Sequence, residues 1–246
     1  ADSLAVTADS LSMSIDSLAV ISDSLAIADT VVVEEPKDTT KIGFLEAIRS
    51  VKVYKKSMQI VCDSLLYSDL DSLGRLFVQP VIWQDITRQY SADSISVMIK
   101  NGGMEKASLM ANAFIHIQED STHYDQIKGT EMLAFFDEKG ALRRFDVLGG
   151  ASALFYIEEN EVLATVNKPE SKMLSATFKN GEIQRIHYYD QAKNDGYPIV
   201  QLSQEEQRLK GFNWQPERRP ADRYAVTPLS LRPSQRLAYS ARPKAR

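Results

Sequence analysis

Apolar and polar residues alternate one by one through much of the segment from residue 45 to residue 190. Runs such as 95–99 (Ile-Ser-Val-Met-Ile) and 113–117 (Ala-Phe-Ile-His-Ile) combine this alternation with β-branched and aromatic residues, which is typical of half-buried strands. Glycine-containing turn signals separate the runs, because glycine adopts the positive φ that tight turns need. These signals lie at 71–74, 100–103, 137–140 and 179–181. The pattern predicts a mainly β chain.

The alternating runs are organised as four similar units, each a strand, a glycine turn and a second strand. The units begin at Asp63, Asp93, Thr130 and Ser171, so their starts are 30, 37 and 41 residues apart. One such unit cannot bury its apolar face alone, and stacking rung on rung gives a continuous apolar inner face. If the resulting roll is closed and filled, this face is core. If the roll is open along one side, the same face is an apolar trough for acyl chains.

Every second residue of the runs lines that inner face, and these residues are the candidate lipid-contacting positions. They are Ile95, Val97, Ile99, Ile115, Ile117, Met132, Ala134, Phe136 and Val147.

The two ends of the chain differ in charge from its centre. An Asp-Ser-Leu motif recurs every seven residues from Asp2, and residues 1–40 carry a net charge of −7. A flexible tether, strands and a helix are all open interpretations of this repeat, although Asp and Ser side chains compete with helical hydrogen bonds. Residues 217–246 carry a net charge of +6, and the Arg- and Pro-rich stretch 221–246 is predicted to be disordered.

A short helix is predicted between these regions. Ser203 and Glu206 have the spacing of a capping box, and Gly211 is a typical helix stop. The predicted organisation is therefore an acidic tether, a β-roll, a short helix with a docking segment that contains Trp214, and a basic tail. Their bounds are 1–40, 41–200, 201–220 and 221–246.

The sequence offers little catalytic chemistry. Cys62 is the single cysteine, which excludes an internal disulfide and a multi-thiolate zinc site. The three histidines, His116, His123 and His187, have no metal-ligand spacing, and no nucleophile-elbow or phosphate-loop motif occurs. We therefore expect no enzyme activity, cofactor or metal. A carbohydrate-active enzyme is a third and weaker alternative, because paired carboxylates meet in space rather than in sequence.

Several segments resemble rungs of the OstA/LptA family. The likeness lies in the serial order of short motifs over roughly residues 50–220, and it includes a divergent OstA-like pattern toward the C-terminus. The motifs are 62–67 (Cys-Asp-Ser-Leu-Leu-Tyr), 92–95 (Ala-Asp-Ser-Ile), 107–117, 126–131, 209–214 and Arg219-Pro220. The resemblance implies a β-jellyroll of stacked V-shaped rungs in the Gram-negative periplasm. It also implies carriage of lipopolysaccharide between membranes, with members stacked end to end by their edge strands.

Two functions of different classes follow. The first is a non-enzymatic lipopolysaccharide-binding transport component of the cell envelope, active in outer membrane biogenesis. Its partners would be lipid A, other envelope transport proteins and possible further copies of the chain, and not nucleic acid. The second is a structural or adhesive β-solenoid with a filled core and partner-binding tails. The chain begins at Ala1 without a secretory signal, so a periplasmic location implies that such a signal is removed or lies outside this sequence.

Overall fold

The computed structural model describes residues 41–226, apart from residues 102, 140, 180 and 181. The predictions for the acidic repeat at 1–40 and for the basic tail beyond residue 226 lie outside these residues. The described part of the chain forms one twelve-stranded antiparallel sheet system. The mainly β fold of stacked rungs that the alternation predicts is thus confirmed.

Most strands pair with the next strand along the chain. The first six are β1 (Phe44–Lys55), β2 (Met58–Ser68), β3 (Leu73–Phe77), β4 (Val81–Gln84), β5 (Arg88–Ser91) and β6 (Ser94–Lys100). The last six are β7 (Gly103–Gln118), β8 (Tyr124–Phe136), β9 (Leu142–Glu159), β10 (Val162–Lys179), β11 (Glu182–Tyr189) and β12 (Lys193–Pro198). Within the described residues, no helix is long and apolar enough to cross a membrane.

The long strands bend at corners and so contribute to two layers. Residues 114–117 of β7 pair with β5, whereas residues 103–110 pair with β6. The bend between them places Ala111 and Asn112 at positive φ, and the register of β7 against β8 shifts at the same point. The equivalent corners are Arg49-Ser50 in β1, Val78-Gln79 between β3 and β4, and Gly149-Gly150 in β9. Bulges of this kind bend a strand without ending it.

We call the two resulting ladders the first and the second layer. The first layer contains residues 51–55, 58–61, β4, β5, 113–118, 124–128, 151–159, 162–170 and β12. The second layer contains residues 44–48, 64–68, β3, β6, 103–110, 131–136, 142–148, 173–179 and β11. Side chains from both layers form a single hydrophobic cluster, so the inner faces of the layers pack together.

The inner face of the second layer is built from directly paired residues of successive strands. Because side chains alternate between the two faces of a strand, residues paired across the ladder share one face. One continuous inner row consists of Ala47, Leu65, Leu76, Ile95, Leu109, Met132, Val147, Leu174 and Tyr188. Eight rungs of apolar contacts thus join β1 to β11.

The outer face of the first layer is covered by residues 199–220, which we call the strap. The strap begins with the 3₁₀ turn Ile199–Gln201 after β12 and includes a second 3₁₀ turn, Pro216–Arg218. Trp214 of the strap packs on a small cluster of Val61, Val81 and Trp83 from the outer face. The docking segment that contains Trp214 therefore covers one sheet face.

The predicted short helix in this segment is wrong. The capping-box contacts between Ser203 and Glu206 do form, and one turn follows them. The next carbonyls and amides, however, bond to the sheet instead of to the next helical turn. Gln126 accepts from the Leu209 amide at 2.7 Å and donates to the Gln207 carbonyl at 2.9 Å. A helix needs those same backbone groups, so docking on the sheet ends it after one turn.

Candidate functional site

The inner face between the two layers is the candidate site, and the structure places all nine predicted residues on the strands that form it. Five of them are buried, namely Ile95, Ile115, Met132, Ala134 and Val147. The other four, Val97, Ile99, Ile117 and Phe136, are half-buried. Eight of the nine belong to the single inner cluster, and Ile99 lies next to its β6 neighbour Val97 toward the strand end.

Burial of the inner residues decreases from the corners toward the hairpin ends. Along β8, Met132 near the corner is 0% exposed, Ala134 is 9% exposed, and Phe136 at the strand end is half-buried. The same order holds on β7 of the first layer, where Ile115 is buried and Ile117 is half-buried. We call the deep residues the floor. We call the half-buried residues at the ends, which include Val97, Ile99, Ile117 and Phe136, the mouth. The layers are in close contact at the floor and meet solvent at the mouth.

A second inner row runs beside the first and lies nearer the mouth. Its paired residues are Gly74, Val97, Ala107, Ala134, Phe145, Ala176 and Ile186. Four of these seven carry no atom beyond Cβ, so the inner surface of the second layer recedes along this row. The mouth is therefore apolar and has small residues directly behind it.

Further half-buried residues of the inner face were not among the candidates. They are Tyr90, Ile127, Leu142, Phe178 and Tyr188, and all pack against the inner cluster. Phe178 ends a unit that the repeat pattern marks, so the alternation contained its signal. Tyr90 lies on β5, which has only four residues, and so short a run gives no clear period.

Asp125 places a carboxyl group at the mouth of the first layer. It is paired across the ladder with Ile117 and shares a strand face with Ile127. Its Oδ1 accepts a hydrogen bond from the Tyr156 amide at 2.8 Å. Burial raises the pKa of Asp125 to about 6, and Glu119 contributes to the rise. The charged form of this carboxyl group is therefore disfavoured in the folded chain.

Both ends of the ladder present strand edges. At one end, β1 pairs with β2 along one side, and Phe44 and Ile48 on β1 are 65% and 60% exposed. At the other end, β11 and β12 each pair with β10. Within the described residues, the far edges of β1, β11 and β12 carry no strand partner. Such edges are templates for pairing with another chain.

The site offers no arrangement that would hold a metal ion. Among residues 41–226 outside the gaps, no three His, Cys, Asp or Glu side chains come together as ligands would. Cys62 is buried, as expected of a lone structural cysteine, and burial raises its pKa to about 11. This thiol is therefore poorly suited to act as a nucleophile.

Comparisons with known proteins give similarity at the level of structure only. No family model matches the chain, and no curated protein matches it. Among solved structures, the chain is similar to LptH of Pseudomonas aeruginosa, described as the LptA homologous periplasmic component of the conserved lipopolysaccharide transport device. The similarity covers 56% of this chain and 93% of LptH, with 9% sequence identity and a TM-score of 0.41. A likeness of this degree assigns no function to the chain.

Proposed function

We propose that the chain is a non-enzymatic carrier of lipopolysaccharide in the cell envelope, with a periplasmic location, and that the mouth shelters the acyl chains. The observation that carries this proposal is the graded inner face. It is apolar over eight successive strand pairings, and its side chains become half-buried toward the hairpin ends. The half-buried side chains of Val97, Ile99, Ile117 and Phe136 leave apolar surface at this rim that a guest could cover.

The energetics favour an elongated apolar guest. Each methylene group moved from water to an apolar surface contributes about 0.8 kcal/mol. An acyl chain of lipid A that lies along the mouth would contact Val97, Ile99, Ile117 and Phe136, and the small residues Ala107 and Ala134 leave room behind them. The floor, with Ile95, Ile115, Met132 and Val147, would hold the two layers together while the guest occupies the mouth.

The exposed strand edges suit the proposed partners. Addition of a strand to β1 at one end, or to β11 and β12 at the other, would continue the inner face into a neighbouring envelope transport protein or a further copy of the chain. Phe44 and Ile48, which are exposed on β1, would then be covered. A lipid could pass along such a continuous face without entering water.

A structural or adhesive solenoid is the second candidate, and the floor favours it. Met132 and Val147 are 0% exposed, so the deep part of the inner face is already filled by the protein's own side chains. In this case the mouth is only the partly exposed edge of a closed core.

Binding of a fluorescent lipid A analogue to the full chain distinguishes the two candidates. Val97 and Ser96 are neighbours on β6 that face opposite sides, and each is half-buried. We expect saturable binding that Val97→Asp weakens at least tenfold and that Ser96→Asp leaves unchanged. Circular dichroism checks that both variants are folded. The transport proposal fails if the folded wild type does not bind, or if both variants bind as well as the wild type does.

A further inference from the structure

A row of buried and mostly polar side chains crosses the outer face of the first layer. Its members are paired directly, strand by strand, and all are almost fully buried. They are Gln59, Trp83, Gln89, His116, Gln126 and Leu154. Buried polar groups are costly unless they are hydrogen-bonded, so the row requires partners from whatever covers it.

The strap supplies partners for Gln89, His116 and Gln126 through its backbone. Gln89 Nε2 donates to the Asn213 carbonyl at 2.7 Å, and Gln89 Oε1 accepts from the Gln215 amide at 2.8 Å. Gln126 accepts from the Leu209 amide and donates to the Gln207 carbonyl. Side chains from β5 across to β8 therefore hold the strap through hydrogen bonds to its backbone.

His116 is the titratable member of the row. Its ring is 0% exposed, lies stacked on Phe114 at 4.2 Å and meets the edge of Phe212 at 4.9 Å. Its Nε2 accepts the Asn213 amide proton over 3.2 Å, which requires that Nε2 be unprotonated. A protonated ring would set its own N–H against that of Asn213 and remove this contact with the strap.

A neutral ring that accepts at Nε2 carries its proton on Nδ1, which also faces a donor and makes no hydrogen bond there. Nδ1 of His116 lies 3.5 Å from Nε2 of Gln89. The orientation of the Gln89 amide is fixed, because its oxygen accepts from both Trp83 Nε1 and the Gln215 amide. Gln89 therefore cannot turn its oxygen toward a charged imidazolium without losing two hydrogen bonds.

The charged groups of the described residues around His116 offer it no counter-ion. On β8, Lys128 Nζ donates to the Lys210 carbonyl, and on the strap the Arg208 guanidinium lies 4.8 Å over the Phe212 ring. The carboxylates of the packed elements engage other groups, namely Asp85 with Arg88, Asp120 with His123, Asp125 with the Tyr156 amide, and Glu206 with Ser203. Burial alone lowers the pKa of His116, from 6.5 to about 3.

We propose that acid weakens the docking of the strap on the first layer. The strap docks through a neutral His116 and is released more readily once that ring can take up a proton. A docked ring excludes the proton and an undocked ring binds it with ordinary affinity. Acid therefore favours the undocked state, and that state bares Trp83 and Phe114. Between pH 7.5 and pH 5.0 the docking equilibrium constant falls by about 30-fold, since the undocked ring titrates in this range.

Amide hydrogen exchange of the full chain measures this constant directly. The amides of Leu209, Asn213 and Gln215 donate to the row, so their protection factors report docking. After correction for the intrinsic rate at each pH, we expect these factors to fall about 30-fold from pH 7.5 to pH 5.0. Inner amides such as that of Met132 should keep a higher protection throughout. Both tryptophans of the chain lie at this interface, so a red shift of the emission should accompany opening.

The three histidines provide matched controls. His116→Gln removes the titration but keeps an acceptor, and its strap protection should change less than about threefold over the same range. His187→Gln, on β11 of the second layer and away from the strap, should retain the 30-fold fall. The proposal is overturned if His116→Gln shows the full fall, or if strap and inner amides have equal protection and fall together. If His116→Gln does not fold, the imidazole resonances of the wild type decide. A His116 ring that titrates near pH 6.5 overturns the proposal.

Discussion

Truncation of two side chains on one strand distinguishes a groove from a filled core. Met132 and Phe136 lie on the same face of β8, four residues apart, at the floor and at the mouth of the inner face. Met132→Ala deletes a side chain that is 0% exposed, whereas Phe136→Ala deletes one that is half-buried. If the mouth serves a guest, the two changes have opposite profiles: the first lowers stability most, and the second lowers lipid binding most.

The magnitudes follow from burial. Loss of a fully buried Met side chain costs about 3 kcal/mol or more of unfolding free energy, because the surroundings cannot close the cavity. Loss of the Phe136 ring opens a notch to solvent and costs about 1 to 2 kcal/mol. Against a bound acyl chain, the ring would contribute roughly 50 Å² of apolar contact. This area corresponds to about 1 kcal/mol, or a fivefold rise in Kd.

Urea unfolding gives the stability of each variant, and competition with a fluorescent lipid A analogue gives its affinity. We expect Met132→Ala to bind within twofold of the wild type under folding conditions and Phe136→Ala to bind about fivefold more weakly. The contrary result is that Phe136→Ala destabilises the chain as much as Met132→Ala does and leaves lipid affinity unchanged. That result would make the mouth an ordinary part of the core.

Two further predictions concern the corner of β9 and the carboxyl group at the mouth. Gly149 and Gly150 both have positive φ, but a Cβ at Gly149 would lie 2.6 Å from Thr130, whereas one at Gly150 would meet nothing within 4 Å. In chemical denaturation, Gly150→Ala should cost about 1 kcal/mol and Gly149→Ala clearly more; equal losses would contradict the close approach. Asp125→Asn should stabilise the chain by about 1 kcal/mol at pH 7.5, because the raised pKa makes the folded carboxylate unfavourable there. The folded wild type takes up its proton as the pH falls from 6 toward 4, so the gain should vanish over that range; a gain that persists at pH 4 would show another cause.

The strands could be predicted from the sequence, but most of the corners could not. Alternation marks a strand on either side of a bend, and glycine is the residue that reports positive φ. Only the corner at Gly149-Gly150 carries that signal. The corners at Arg49-Ser50 and Ala111-Asn112 adopt positive φ without glycine, and the stacked rungs around them impose that conformation.

The placement of the candidate residues on the inner face was predictable, and their depth was not. The alternation is identical at Met132 and at Phe136, so both were candidates, yet one is floor and the other is mouth. Their difference depends on the separation between two layers whose contact is set by the corners. No local pattern encodes that distance.

The strap shows the opposite case, in which a clear local signal is present but the structure it predicts does not form. The capping box of Ser203 and Glu206 is a true local signal, and its hydrogen bonds form. The helix nevertheless ends, because Gln126 on a strand more than 80 residues away takes the backbone groups that would extend it. His116 and Gln89 looked like ordinary strand residues for the same reason, since their partners lie far away in the sequence.

Photo-crosslinking of a lipid A analogue to the chain tests the carrier proposal most directly. A photoreactive amino acid would replace Ile99 or Ile117 at the mouth and, as the control, Ser96 or Gln118 on the opposite faces of the same strands. A lipid held between the layers predicts crosslinks from the two mouth positions that unlabelled lipid competes away, and none from the controls. Equal labelling of all four positions, or labelling that competitor does not reduce, would contradict an internal lipid site.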